Sequence, residues 1–357
     1  KGEEARDLFF RAASCAAELG KHDKALKLFK AAYDVDSRHL PTLLGRAAVQ
    51  FQVKDWDGAG KIYQTVLVQH RDALKEADVV DVYYRLGQVR LMLGEQRKAL
   101  NMFEKALEID AGHRSTLLAV IELQTQQGDF GAVIHAKRSL LESADAEEKF
   151  RLLEEIGDIY HQRLQNPQKA ISTYMESLEV KNQDHAVLQK ILDLYTETRQ
   201  WKKAVEIMQK FAEIETVPLL KGKYYYAAGV IGRDEVKSLD EAIDYFNLAL
   251  DHYYAEPDKI PIDQISRNLK AFEAIDKILT GKKDWKQLER AYRKQIKRMP
   301  QVAGDKVLPM LWHNLGEIYR SRLNDLSAAT QAFDVAAHLD PDNKQRREIL
   351  AELYVIA

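Results

Sequence analysis

The stretch whose reading decides the fold is WHNLGEIYRSRLNDLSAATQAFDVAAHLDP, residues 312–341. Its marks fall into three groups: Trp312, Leu315, Gly316 and Tyr319; then Ala329, Phe333 and Ala336; then Pro341. Each of the first two groups lies along one helical face, and Pro341 cannot continue the second helix. Two helices approach to about 8–10 Å only where small residues face each other. Gly316 on the first helix and Ala329 on the second meet that need, while larger residues fill the space between turns. A single such pair cannot bury its own apolar stripe, so pairs must stack.

Working outward, Gly87 and Gly157 stand in first helices as Gly316 does, and Ala99 and Ala170 in second helices as Ala329 does. Aligned on the residue that opens each second helix, the chain gives Ala25, Ala59, Ala99, Val133, Ala170, Ala204, Ala242, Leu288 and Ala329. The steps between them are 34, 40, 34, 37, 34, 38, 46 and 41 residues. Three equal 34 and none is shorter, which marks a period interrupted by insertions. Large residues recur in register: Tyr83 and Leu86 with Phe103, Ile156 and Tyr160 with Tyr174, Leu192 and Tyr195 with Met208, Ala242 beside Phe246, and Phe272 with Tyr292. The pairs built on Ala170, Ala242 and Ala329 carry one added residue in the internal turn, in the strings HQRLQNPQKA, RDEVKSLDEA and RSRLNDLSAA. Those between them enter the second helix through tryptophan, in RQWKKAV and KDWKQLE. This alternation reads as a two-repeat superunit in the C-terminal half.

Over residues 312–341 the pattern resembles the tetratricopeptide-repeat signature almost residue for residue, apart from the added turn residue. The resemblance implies an all-α, right-handed α-solenoid of about nine helix pairs. Their bounds are roughly 6–39, 40–78, 79–113, 114–145, 146–183, 184–217, 218–260, 261–301 and 302–343, with a leftover helix at 344–357. One solenoid over 1–357 is expected. Longer connections at Gln69–Asp78, Val217–Lys223 and Tyr253–Asp263 are read as bends or binding loops rather than domain boundaries. In the last, Pro257 and Pro261 are expected to end one helix and precede the next, with Asp263 as an N-cap.

Composition agrees with a helix-rich protein, at 46% hydrophobic and 30% charged residues with few Gly or Pro. A formal net charge of −2 supplies no global field for nucleic acid or an anionic membrane. Cys15 is the single cysteine and cannot form an intrachain disulfide; among Ala12, Ala13, Ala16 and Ala17 it reads as a packing residue. No run reaches the roughly 18 apolar residues of a membrane span. Lys1-Gly2-Glu3-Glu4 is not a signal-peptide start, and the lean is to the cytoplasm. The missing initiator methionine and an end within a helix at Ala357 point to a piece of a longer chain.

The motifs of an enzyme are missing. The sequence has no G-x-x-x-x-G-K-[ST], no G-x-G-x-x-G after a strand, no G-x-S-x-G and no H-E-x-x-H. The histidines are scattered without helical i, i+3 or i+4 pairs, so no metal and no cofactor are expected. Adjacent carboxylates such as Glu154 and Glu155 project about 100° apart on a helix and do not converge on one substrate atom. No catalytic residue is proposed.

What remains is surface. The resemblance implies that first helices line a concave groove and that set motif positions face a bound peptide or domain. Carried over, these are Tyr84, Arg85 and Gln88; Glu154, Glu155 and Asp158; Gln189, Lys190 and Asp193; and His313, Asn314 and Glu317. The family's chaperone-tail clamp needs converging Lys, Asn and Arg. The equivalent stretch offers Phe10, Ser14, Leu44 and Gly45, with only Arg85 basic, so that clamp is not expected.

Charge is uneven: Glu142, Asp145, Glu147, Glu148, Glu154, Glu155 and Asp158 form an acidic run. A basic patch follows at Lys282, Lys283, Lys286, Arg290, Arg293, Lys294, Lys297 and Arg298. That patch could serve nucleic acid, but Trp285 and Tyr292 share one helical stripe and read as core, which disfavours it. The leading reading is a non-enzymatic scaffold that binds a peptide or helix of another protein. Alternatives are a recruitment or regulatory segment of a larger multidomain enzyme, a nucleic-acid-associated repeat protein, and self-association through the opposite patches.

Overall fold

The computed structural model describes residues 2–256, 260, 265, 268–300 and 306–356, and every regular element among them is helical. Pro257, Pro261 and Asp263, assigned above to helix ends, lie outside the described residues. The chain divides into two compact units, Lys1–Asn182 and Gln183–Ala357. In the first unit the helices are α1 (Gly2–Glu18), α2 (His22–Val35), α3 (Leu40–Gln52), α4 (Trp56–Gln69), α5 (Glu76–Met92), α6 (Gln96–Ile109), α7 (Arg114–Gln127), α8 (Phe130–Leu141), α9 (Ala146–Gln162) and α10 (Pro167–Val180). The second unit contains α11 (His185–Glu197), α12 (Trp201–Ile214), α13 (Pro218–Ile231), α14 (Leu239–Tyr253), α15 (Lys270–Lys282), α16 (Trp285–Arg298), α17 (Val307–Ile318), α18 (Leu326–Leu339) and α19 (Lys344–Ile356). Odd-numbered helices through α17 are first helices of pairs, and α19 is the leftover. Among the described residues no helix is long and apolar enough to cross a membrane.

In four of the pairs, spacing is set by a glycine opposite an aromatic ring. A Cβ added at Gly87 would collide with the Phe103 ring, and one at Gly157 with the Tyr174 ring. At Gly229 it would lie 2.7 Å from Phe246, and at Gly316 2.8 Å from Phe333. All four rings are fully buried. The small-against-small pairing expected from Gly316 and Ala329 is therefore refined: the glycine receives the ring one turn beyond the buried alanine. Gly45 plays the same part between pairs, where an added Cβ would sit 2.6 Å from Phe29 of the preceding second helix. Stacking then closes the core, as where Leu43, Ala59, Tyr63 and Val66 of one pair pack with Val82, Leu86 and Val89 of the next.

The internal turns share one device. In each of the nine, a single residue adopts the left-handed conformation: Gly20, Lys54, Gly94, Gly128, Gln165, Arg199, Lys237, Lys283 and Asn324. In the short turns the amide following that residue donates to a carbonyl five residues back, as Asp55 to Gln50 and Glu95 to Arg90, both at 2.8 Å. The three lengthened turns close six residues back instead, from Asn166 to Tyr160 at 2.8 Å, Ser238 to Gly232 at 3.0 Å and Asp325 to Tyr319 at 3.0 Å. The added residue thus widens the last turn of the first helix and is not looped out; Gly232–Val236 and Tyr319–Leu323 are π turns. Two of the following helices start with a side-chain cap, since Asn166 Oδ1 accepts the Lys169 amide at 3.1 Å and Asp325 Oδ1 that of Ala328 at 3.0 Å, whereas Ser238 makes no side-chain cap.

Two expectations are corrected. Val217–Lys223 is not a long connection, because α13 begins at Pro218, whose fixed φ suits a first helical position. Before it, Glu215 Oε1 accepts the amides of Thr216 and Val217 at 2.8 and 2.9 Å. Cys15 is exposed and not packed. Ala13 and Ala16 take the buried face of α1, and Cys15 lies off that face.

The ring contacts predict opposite outcomes for the same change. Gly87→Ala should lower stability by about 1–2 kcal/mol, because overpacking against Phe103 exceeds the gain in helix propensity. Gly281→Ala, with open space around its Cβ position, should raise it by about 0.5–1 kcal/mol; urea denaturation of both variants checks the signs. Lys54→Gly and Arg199→Gly relieve left-handed strain and should each raise the unfolding free energy by about 0.5–1 kcal/mol, whereas Gly94→Ala should lower it.

Candidate partner-binding face

The three residues selected on α5 form one cluster. Gln88 Nε2 donates to the Tyr84 hydroxyl at 2.8 Å, and Arg85 Nη1 donates to Gln88 Oε1 at 3.3 Å. The Arg85 guanidinium lies 5.6 Å from the Phe51 ring centroid and 5.9 Å from that of Tyr84. Tyr84 in turn meets His113 edge-on, with centroids 5.7 Å apart, and His113 Nδ1 is 2.6 Å from the Thr116 hydroxyl. Phe10, His39 and Thr42 repeat that arrangement two pairs earlier, at 5.5 and 2.7 Å. Arg85 remains exposed while its neighbours are partly buried, so the guanidinium is held over aromatic faces with its outer donors facing water.

On α9 the selected carboxylates are more committed to the fold than their spacing suggests. Glu155 accepts from Lys137 of α8, whose side chain is only 13% exposed. Asp158 Oδ1 accepts the Tyr174 hydroxyl at 2.6 Å, which together with burial raises the tyrosine's pKa. Burial is the larger cause. Elsewhere in the acidic run, Glu148 takes both terminal nitrogens of Arg114 at 2.5 and 3.1 Å, which lowers its pKa, and Asp145 caps α9 through the Glu148 amide at 2.9 Å. The run therefore exposes less free charge than its seven acidic residues imply.

In the second unit, Gln189 Nε2 donates to Asp193 Oδ1 at 2.8 Å along α11, and Lys190 lies partly buried beside them. On α17, His313 meets the Phe333 ring edge-on at 5.2 Å, and its Nδ1 is buried without a hydrogen-bond partner among the described residues. Burial, then Arg346, depresses its pKa. Asn314 Nδ2 reaches the Tyr292 hydroxyl at 3.5 Å, and Glu317 binds Arg320 at 2.8 and 2.9 Å. Each helix thus carries its own polar cluster, α5 and α9 in the first unit and α11 and α17 in the second.

Half of the basic patch is ion-paired, and Arg298 within it is largely buried. Arg298, 9% exposed, bonds Asp251 at 2.7 Å through Nε and the Asn247 carbonyl and side-chain oxygens at 3.2 and 3.1 Å. It ties α16 to α14. Lys282 pairs with Asp240 at 2.5 Å, Lys294 with Asp251 at 3.4 Å, and Arg293 with Glu289 at 3.3 Å. Lys286, Arg290 and Lys297 make no ion pair among the described residues and lie on the exposed stripe of α16, and Lys283 is the left-handed turn residue. Tyr292 is buried and edge-on to Phe272, and Trp285 is covered by Arg322 at 4.6 Å. Neither ring offers a face for a nucleobase.

Two grooves of the first unit lie between neighbouring second helices, away from the residues chosen above. One runs over α5 between α4 and α6, the other over α7 between α6 and α8. The repeat alignment missed them because it assigned binding to first helices alone. A trace was present in the sequence: Arg97, Asn101 and Lys105 recur at every fourth residue of α6, and none is needed for the pair's own core. Among the described residues no His, Cys, Asp and Glu cluster could hold a metal ion.

Family models of the tetratricopeptide repeat match residues 39–111 and 150–184. Among solved structures, YrrB, described as a TPR protein with an unusual peptide-binding site, is 17% identical over 50% of this chain and 87% of its own, with a TM-score of 0.37. The C-terminal part of a TPR repeat-containing protein from Cytophaga hutchinsonii is 14% identical over 95% of this chain and 98% of its own, TM-score 0.39. The TPR2AB domain of yeast Sti1, solved with pHSP90, is 16% identical over 78% and 99%, TM-score 0.35. The matched segments supply α3 to α6 and most of α9 with α10, and the same helix pair with the same left-handed turn residue recurs along the unmatched lengths. The chain carries tetratricopeptide repeats.

Proposed function

We propose that this chain is a non-enzymatic scaffold, a single repeat series across both units, that binds a peptide or helix of another protein along its first helices. The observation that carries this reading is the Tyr84–Arg85–Gln88 cluster. An exposed guanidinium already ordered over Phe51 and Tyr84 loses little side-chain entropy on binding, and Arg and Tyr are the residue types that dominate interface energies. Such a cluster suits an acidic or aromatic anchor on the partner. Farther along the unit, Glu154, Glu155 and Asp158 present the opposite sign. A partner with a negative or aromatic end and a positive end would be held in one direction.

The ion-paired state of Arg298, Lys282, Lys294 and Arg293 supports a structural role for much of the basic patch over a nucleic-acid surface. Crosslinking pull-downs from the native host, read by mass spectrometry, identify the partner. Arg85→Ala should then weaken its binding at least tenfold, the scale of an interfacial hot spot, with an unchanged melting curve. Glu154→Gln with Glu155→Gln preserves an acceptor for Lys137 and should weaken binding less, flattening its salt dependence. A partner profile identical for wild type and both variants would place binding elsewhere.

A further inference from the structure

The groove over α5 between α4 and α6 has a volume of about 420 Å³, within the range of ligand-binding clefts. Its floor is apolar, made by Leu67, Tyr83, Leu86 and Met102. Its rim is cationic, made by Arg90, Arg97, Lys98 and Lys105, and no acidic residue lines it. Glu95 sits beside the rim, and its one carboxylate is shared, with Arg90 at 2.8 Å and Lys98 at 2.8 Å. Arg97 and Lys105 form no ion pair among the described residues. Positive charge is thus left over around an apolar floor.

That combination selects its occupant. A small anion would satisfy the rim and leave the floor wet. An apolar helix would cover the floor and strip water from unpaired cations. Only an acidic segment that also carries apolar side chains meets both demands. The adjoining groove, over α7, reverses the charge: Leu117 and Val120 form its floor, and Glu104 and Glu108 stand on its rim. Helix α6 divides the two, cationic on one flank and anionic on the other, so an acidic segment is drawn to one groove and repelled from the next.

We infer that the α4–α6 groove is a second docking surface, distinct from the first-helix face, for an acidic amphipathic segment of a partner protein. The apolar side chains of that segment seat between Leu67 and Met102, and its carboxylates meet Arg97 and Lys105. Tyr83, Leu86 and Arg90 serve this surface from one side of α5, while Tyr84, Arg85 and Gln88 occupy the other.

The test titrates the full chain against a fluorescein-labelled synthetic peptide of Glu-Glu-Leu-Leu repeats, followed by anisotropy at low salt. Saturable binding is expected, with a loss of about tenfold or more for Glu-Glu-Ser-Ser repeats and none detectable for Lys-Lys-Leu-Leu repeats. Arg97→Glu with Lys105→Glu should weaken the first peptide about tenfold or more. Val68→Glu, at a rim position 76% exposed, should do the same without touching the core. Arg85→Ala should leave this binding unchanged, which separates it from the first-helix face. Equal affinity for the Leu and Ser peptides, or equal affinity of wild type and both rim variants, overturns the proposal. So does a peptide that fails to bind, including where light scattering shows a second copy of the chain filling the groove.

Discussion

Four of the helix pairs depend on a ring seated where a glycine has no side chain. Phe103 on Gly87, Tyr174 on Gly157, Phe246 on Gly229 and Phe333 on Gly316 bring the two helices closer than a Cβ would allow, and burial of each ring is worth a few kcal/mol. The contact does two things at once. It fixes how far apart the helices lie, and it leaves the flanking residues, such as Val82 and Leu86, turned toward the preceding pair. A pair so joined is still short of a core. Stability comes from the interface with its neighbours, which is why the unit of folding is the stack.

The same contact explains how the chain tolerates insertions. Because the ring must meet its glycine, an extra residue cannot shift the register of either helix. It is absorbed where the hydrogen-bond ladder is already ending, by closing the turn six residues back at Asn166, Ser238 and Asp325. A left-handed residue is required in both kinds of turn, and most positions use Lys, Arg, Gln or Asn in place of glycine. These residues accept backbone strain of the order of 1 kcal/mol at an exposed corner.

Much of this was legible beforehand. The glycine, alanine and aromatic positions at 312–341 specify a helix pair, and the added turn residue could be read from RSRLNDLSAA before its geometry was known. The candidate site was less legible, and the reason is physical. Sequence register says which way a side chain leaves its helix, but not what it meets there. Glu155 finds Lys137 from a neighbouring helix, Asp158 finds the hydroxyl of Tyr174, and Arg298 crosses to Asp251 and Asn247. Those partners are separated by 16 to 51 residues, so no local pattern announces them. Cys15 fails for a related reason: its alanine neighbours describe a packed helix, yet Ala13 and Ala16 hold the buried face and leave Cys15 off it.

The position of α5 shows what stacking makes available. A first helix within the array must give one face to its own pair, where Gly87 meets Phe103, and part of another to the preceding pair, through Val82, Leu86 and Val89. Two strips remain. One carries Tyr84, Arg85 and Gln88, and the other reaches the cleft between α4 and α6 through Arg90. Polar groups on both strips can therefore change without disturbing the contacts that hold the stack. Helix α6 has the same freedom on its outer side, where Arg97 and Lys105 face one cleft and Glu104 and Glu108 the other, while Ala99, Phe103 and Ala106 keep to the core. The repeat holds its helices together through a narrow set of small and aromatic residues, and that narrowness is what leaves so much of its surface open to recognition.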